Sequence, residues 1–107
     1  MSLLNELVIE KVINMSGLLL IKEENQVDKL VKVFEFLIGK QEYFFQQQQR
    51  AVVKEIAAKH IKDGLTLTTL LQEIVNSNNE YLLAFKNISK EILSKKNEIN
   101  KLAFLVL

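Results

Sequence analysis

His60 is the chain's one imidazole, so it marks how far catalytic chemistry could reach here. A general base must lie within hydrogen-bond reach of the proton it takes, beside a nucleophile and a pocket, and the sequence around His60 offers neither. Near the end of a helical run, where the helix dipole favours a cationic side chain, His60 reads as a structural or surface residue. The carboxylates Glu6, Glu10, Glu23 and Glu24 and the pair Lys54-Glu55 read as solvated helix charges. Carboxylate metal sites in helical proteins use an inward Glu-x-x-His pattern, which is missing. There are no cysteines, so disulfides and thiolate metal sites are excluded, and a single histidine removes most zinc sites. Asp63-Gly64 is a helix stop without the glycine-rich cradle and following Lys-Ser/Thr of a phosphate loop. The expectation is a protein that is not an enzyme, with no catalytic residue, metal or cofactor.

Binding of nucleic acid or membrane is equally unsupported. Net charge is +1, too small to create an attractive field for a polyanion. Tyr43, Phe44 and Phe45 have no basic face around them and read as core aromatics rather than a stacking platform. The run Gln46-Gln47-Gln48-Gln49 sweeps across more than one helix face and reads as solvated surface. No segment reaches the roughly 18 apolar residues of a membrane span. The N-terminus lacks a basic start followed by a cleavage site, so the expected location is cytoplasmic.

The elements that would carry any surface are helices. Of the 107 residues 49% are hydrophobic and 25% charged, a globular balance, and proline is absent. Leu4, Leu7, Val8, Lys11, Val12, Met15, Leu18 and Leu19 keep helical spacing, with Glu6, Glu10 and Asn14 opposite. This predicts a helix over about 3–23, with Gly17 inside it and the polar knot 22–26 as the best place for a kink or a short turn. A second helix is expected over 26–61, on the seam Val27, Val31, Phe34, Ile38, Gln41, Phe45, Gln48, Val52, Ile56. Its two glutamines either fix a register, as polar layers do, or mark a half-covered helix. Gly64 closes it in the left-handed conformation. Thr66 caps a short helix over 67–75, and Ser77 with Glu80 forms a capping box for a last helix over 79–105. The expected fold is all-α: one domain over residues 1–107, an elongated antiparallel bundle of about three main helices plus one short helix.

The last helix is the most informative. Tyr81, Phe85, Ile88, Ile92, Lys95, Ile99, Leu102 and Val106 alternate at gaps of four and three, a seam for packing on other helices. The sequence ends on Leu102-Ala103-Phe104-Leu105-Val106-Leu107, apolar enough to require cover. The candidate partner contacts are therefore Phe85, Ile88, Ile92, Ile99 and Leu102, with Asn97 and Asn100 hydrogen-bonding at the edge of the stripe.

Several segments together resemble the FlgN family of flagellar export chaperones. They are Leu65-Thr66-Leu67-Thr68-Thr69-Leu70-Leu71 after a helix stop, Leu82-Leu83 after a polar joint, and Asn97-Glu98-Ile99-Asn100-Lys101-Leu102 near the end. Asp28 with Leu30, Lys40-Gln41-Glu42 and Arg50 fall roughly where that family carries acidic, lysine and arginine residues. The resemblance implies a cytosolic helical bundle, monomeric or homodimeric, that covers the amphipathic terminal helices of hook-associated, hook-filament junction proteins until type III export and so prevents their premature self-association. The sequence departs from the family in its shortness and in having no polar tail after Leu107. The other readings of the same seam are a self-associating helical module and a small helical inhibitor of the immunity type.

Overall fold

The structure, a computed structural model, describes residues 3–16 and 19–106, and the side-chain surroundings of these except Ser16 and the helical stretch 99–106. Helix accounts for 84% of it, in agreement with an all-α chain. The helices are α1 (Leu3–Ser16), α2 (Glu24–Ile38), α3 (Tyr43–His60), α4 (Leu67–Asn76) and α5 (Leu83–Val106). Two short strands, β1 (Leu20–Ile21) and β2 (Leu65–Thr66), pair antiparallel with Leu20 opposite Thr66 and Ile21 opposite Leu65. Helix α5 is the common neighbour: α4, α1 and α2 all pack on it, while α3 packs on α2 and α4. The molecule measures 47 × 35 × 24 Å.

The first helix is shorter than its periodicity suggests. It ends at Ser16, and the chain turns extended at Leu20–Ile21 instead of continuing to residue 23. The polar knot 22–26, the expected place for a kink or a short turn, is the joint between β1 and the start of α2. Gln26 Oε1 accepts hydrogen bonds from the backbone N–H groups of Glu23 (3.0 Å) and Lys22 (2.7 Å), satisfying donors that a helix start leaves open. Its Nε2 donates to the Leu20 carbonyl at 3.3 Å, tying β1 to the helix. The Leu67 N–H, donating to Leu19 O at 3.2 Å, extends the same clasp to α4.

The expected helix over 26–61 is two helices. It breaks at Gly39, whose φ of 94° and ψ of −159° lie where residues with a side chain are strained. The break resets the phase. Helix α2 buries Val27, Val31, Phe34 and Leu37, with Ile38 only half-buried. Helix α3 buries Gln49, Val53 and Ala57, one position beyond the predicted Gln48, Val52 and Ile56. Gln49 is thus a buried residue of a run expected to be solvated; its Nε2 donates to Gln41 Oε1 at 3.1 Å. Two ion pairs lace the resulting hairpin. Arg50 grips Glu35 through Nε (2.8 Å) and a terminal nitrogen (2.9 Å), and Lys54 meets Asp28 at 2.7 Å.

The joints after α3 follow the expected chemistry more closely. Gly64 takes φ 84° and closes the turn at Ile61–Asp63. Thr66 Oγ1 accepts from the Thr69 N–H at 3.1 Å, capping α4. The last helix starts differently: Asn79, not Ser77, caps a 3-10 turn over Glu80–Leu82, its Oδ1 accepting from Tyr81 N–H at 2.9 Å. Ser77 Oγ accepts from Asn79 N–H instead, and α5 begins at Leu83.

Candidate partner-binding surface

Of the seven α5 residues expected to meet a partner, the four with described surroundings divide between core and surface. Phe85 and Ile92 are fully buried, and the Phe85 ring packs on Phe34 of α2 with centroids 5.1 Å apart. Both belong to the core, and a partner role for them is withdrawn: exposing them would open the contact between α2 and α5. Ile88 is half-buried against that core. Asn97 is exposed. Ile99, Asn100 and Leu102 lie outside the described side chains. Two lysines of α5 fasten the helix to α4. Lys86 Nζ donates to the Ser77 carbonyl and Lys96 Nζ to Thr68 Oγ1, each at 2.8 Å. A cation beside the last carbonyls of α4 also suits that helix's dipole.

Packing leaves large apolar side chains exposed on α1 and also at Phe36, Leu83 and, against their reading as core aromatics, Tyr43 and Phe44. The sequence pattern put Leu4, Leu7, Val8, Val12 and Met15 on one inward stripe; of these the structure buries Val12 and half-buries Val8, and it adds Ile9 and Ile13 to the core. Leu3, Leu4, Leu7 and Met15 are left about half or more exposed, Leu7 at 52% and Met15 at 48%. Helix α1 therefore has two apolar faces of which the core uses one. The signal was present in the sequence, since Ile9 and Ile13 stand on the far side of the stripe formed by Leu4, Val8 and Met15. A helix apolar on nearly every side needs cover on nearly every side.

Beside this face runs a groove of about 310 Å³ between α1 and α2. Val12, Met15 and Leu19 form one wall, Leu30 and Val33 the other, and Leu67 also lines it. Its polar lining is Gln26 and Lys29. Along α1 the apolar surface continues past Val8 and Leu7 to Leu4, bordered by Lys11, Asn14 and Glu10. On the opposite flank of α1 the charge changes: Glu6, Glu10 and Glu98 gather with Lys95 in the cleft against α5.

No protein-family model matches this chain, and neither a curated protein nor a solved structure does. The reading of the site therefore stands on its geometry.

A further cleft, between α2 and α3, is lined among others by Asp28, Lys32, Gln47, Arg50 and Lys54. Its charges are mostly spent on each other through the Arg50–Glu35 and Lys54–Asp28 pairs. Glu35 holds the Arg50 guanidinium proton above its ordinary affinity, chiefly through their hydrogen bond. His60 Nε2 stands 3.8 Å from Glu73 Oε2, and both side chains are partly exposed. Among the described residues no group of three or more His, Asp or Glu side chains is placed to hold a metal ion, and no helix is long and apolar enough to cross a membrane.

Proposed function

We propose that this chain is a helix-binding chaperone that covers an amphipathic helix of a protein client. The observation that carries the reading is the outer face of α1, where Leu4, Leu7 and Met15 stand exposed in line with an apolar groove. Helix-in-groove recognition uses such a surface: apolar anchors at helical spacing enter an apolar furrow, and polar residues at its edge set orientation. The sequence resemblance to FlgN-like export chaperones points to the client class, the terminal helices of hook-associated flagellar proteins awaiting type III export. In this reading the helices act as an antiparallel bundle that presents the surface, and the chain performs no catalysis.

The test mixes the full chain with a hook-associated protein from the same organism and measures mass by light scattering behind a sizing column. A complex of defined stoichiometry is expected, and removal of the client's terminal helices abolishes it. Absence of a complex with the intact client overturns the flagellar assignment. The same exposed leucines favour one other reading, self-association through α1. A dimer that persists on dilution and yields no mixed complex decides for that alternative.

A further inference from the structure

The α1–α2 groove and its continuation along α1 are lined by two lysines and one glutamate, and that balance narrows what can lie there. Lys29 is the only charged side chain among the groove's lining residues. Lys11 borders the continuation of the surface along α1, one turn before Met15. Both lysines are exposed, and among the described residues neither has an ion-pair partner. Glu10 lines the same stretch of α1 as Lys11, and it also borders the α5 cleft with Glu6, Glu98 and Lys95. The face is thus apolar with two cations, Lys11 in line between Leu7 and Met15 on α1 and Lys29 on the α2 wall, against the one carboxylate of Glu10 among its described lining residues.

We propose that this groove receives a helix whose apolar stripe is flanked by carboxylates, which pair with Lys11 and Lys29. The inference rests on the helix-binding reading and adds the partner's chemistry and the place where it lies. Helix α1 spans 14 residues, about 21 Å, so the matching segment is a helix of about four turns. Leucine, isoleucine or methionine at spacings of three and four fill the furrow, and Glu or Asp beside them reach the lysines. A second copy's C-terminal segment is disfavoured as occupant by charge: after Glu98 the sequence holds Lys101 and no acidic residue. Like charges facing each other across an interface oppose binding, and opposite charges speed encounter and fix register.

The experiment titrates the full chain against two labelled peptides of about sixteen residues, a length of roughly four turns. Both carry leucines at helical spacing and capped ends; one has glutamates flanking the stripe, the other lysines. Fluorescence anisotropy reads the affinity. The glutamate peptide is expected to bind saturably and at least about tenfold more tightly, a gap of about 1.4 kcal/mol, with the difference shrinking at high salt. The double variant Lys11→Glu, Lys29→Glu changes only exposed positions and should reverse the preference. Met15→Gln should weaken both peptides while circular dichroism stays unchanged. Equal affinity for the two peptides, no saturable binding, or a preference untouched by the charge reversal overturns the proposal. It is also overturned if the chain is a dimer that Met15→Gln makes monomeric, because a second copy then occupies the groove. A hook-associated client that still binds both variants at full affinity sinks this inference alone and leaves the helix-binding reading standing.

Discussion

Helices α4 and α1 are both short and leucine-rich, yet the protein uses them in opposite ways. Helix α4 places Leu67, Leu70, Leu71 and Ile74 on a single face, all of them buried, and turns polar residues such as Gln72 and Asn76 to solvent. Its apolar surface is consumed by packing on α5, β2 and α3. Helix α1 carries apolar residues over a wider arc, and the core takes only Ile9, Val12 and Ile13. What remains is surface that folding does not account for. The width of an apolar stripe, compared with the width of the neighbour available to cover it, separates a helix that builds the core from one that also offers a face. An isolated exposed leucine means little, but three leucines and Met15 on one helix beside a furrow form a patch of the kind that marks interaction sites.

Mutations can break or sharpen that contrast. The largest effect belongs to α4: Leu70→Ala removes a fully buried side chain and should cost about 2–5 kcal/mol in denaturant unfolding. Leu7→Ala, on the outer face of α1, should change stability by no more than about 0.5 kcal/mol. Comparable losses at the two positions would mean that Leu7 is packed after all and that the contrast is false.

A smaller effect is expected at the α2–α3 hairpin, which holds α2 as the groove's second wall. Glu35 is largely buried, with side-chain exposure of 10%, and Arg50 neutralises it through two hydrogen bonds. Arg50→Met strands that carboxylate and should cost about 1–3 kcal/mol. Lys54→Met removes a pair exposed on both sides and should cost at most about 1 kcal/mol. If Lys54→Met proved the more damaging, the assignment of Arg50 as the clamp would be wrong.

The two glycine joints come next. An added Cβ at Gly39 meets nothing within 4 Å, so Gly39→Ala measures conformation alone. Its φ and ψ lie in a region open essentially only to glycine, and the loss should be about 1–3 kcal/mol. Gly64→Ala, at a left-handed position and near Leu20 at 4.0 Å, should lose about 1–2 kcal/mol. The order of the two midpoints in thermal melts checks the difference.

Those joints also explain what could be read from the sequence. Gly64, Thr66 and the bounds of α4 were legible because each depends on local chemistry: a left-handed closure, a side-chain cap, a one-faced leucine pattern. The break at Gly39 was not, since apolar residues recur at gaps of three and four on both sides of it and imitate one continuous helix. Once the chain turns there, the phase of α3 is set by its packing, and Gln49 rather than Gln48 goes inside. The end of α1 was misplaced for a related reason. Leu18 and Leu19 extend the helical pattern, but beyond the helix Leu20 and Ile21 are drawn into pairing with Leu65 and Thr66, a contact between residues more than forty positions apart. The partner surface suffered most. Seam residues of α5 were chosen for being apolar and periodic, and those properties put Phe85 and Ile92 in the core. A periodic stripe alone does not say which side of it the rest of the chain will cover.

Amide hydrogen exchange tests the central claim most directly, because it reports on both helices in one sample. The full chain is compared with and without a saturating amount of the glutamate-flanked peptide. Exchange should slow in α1 and in the facing part of α2, from Lys29 to Phe36, while α4 keeps the rates it has alone. Slowing centred on α4 and α5, or no change in α1 at saturation, would contradict the account.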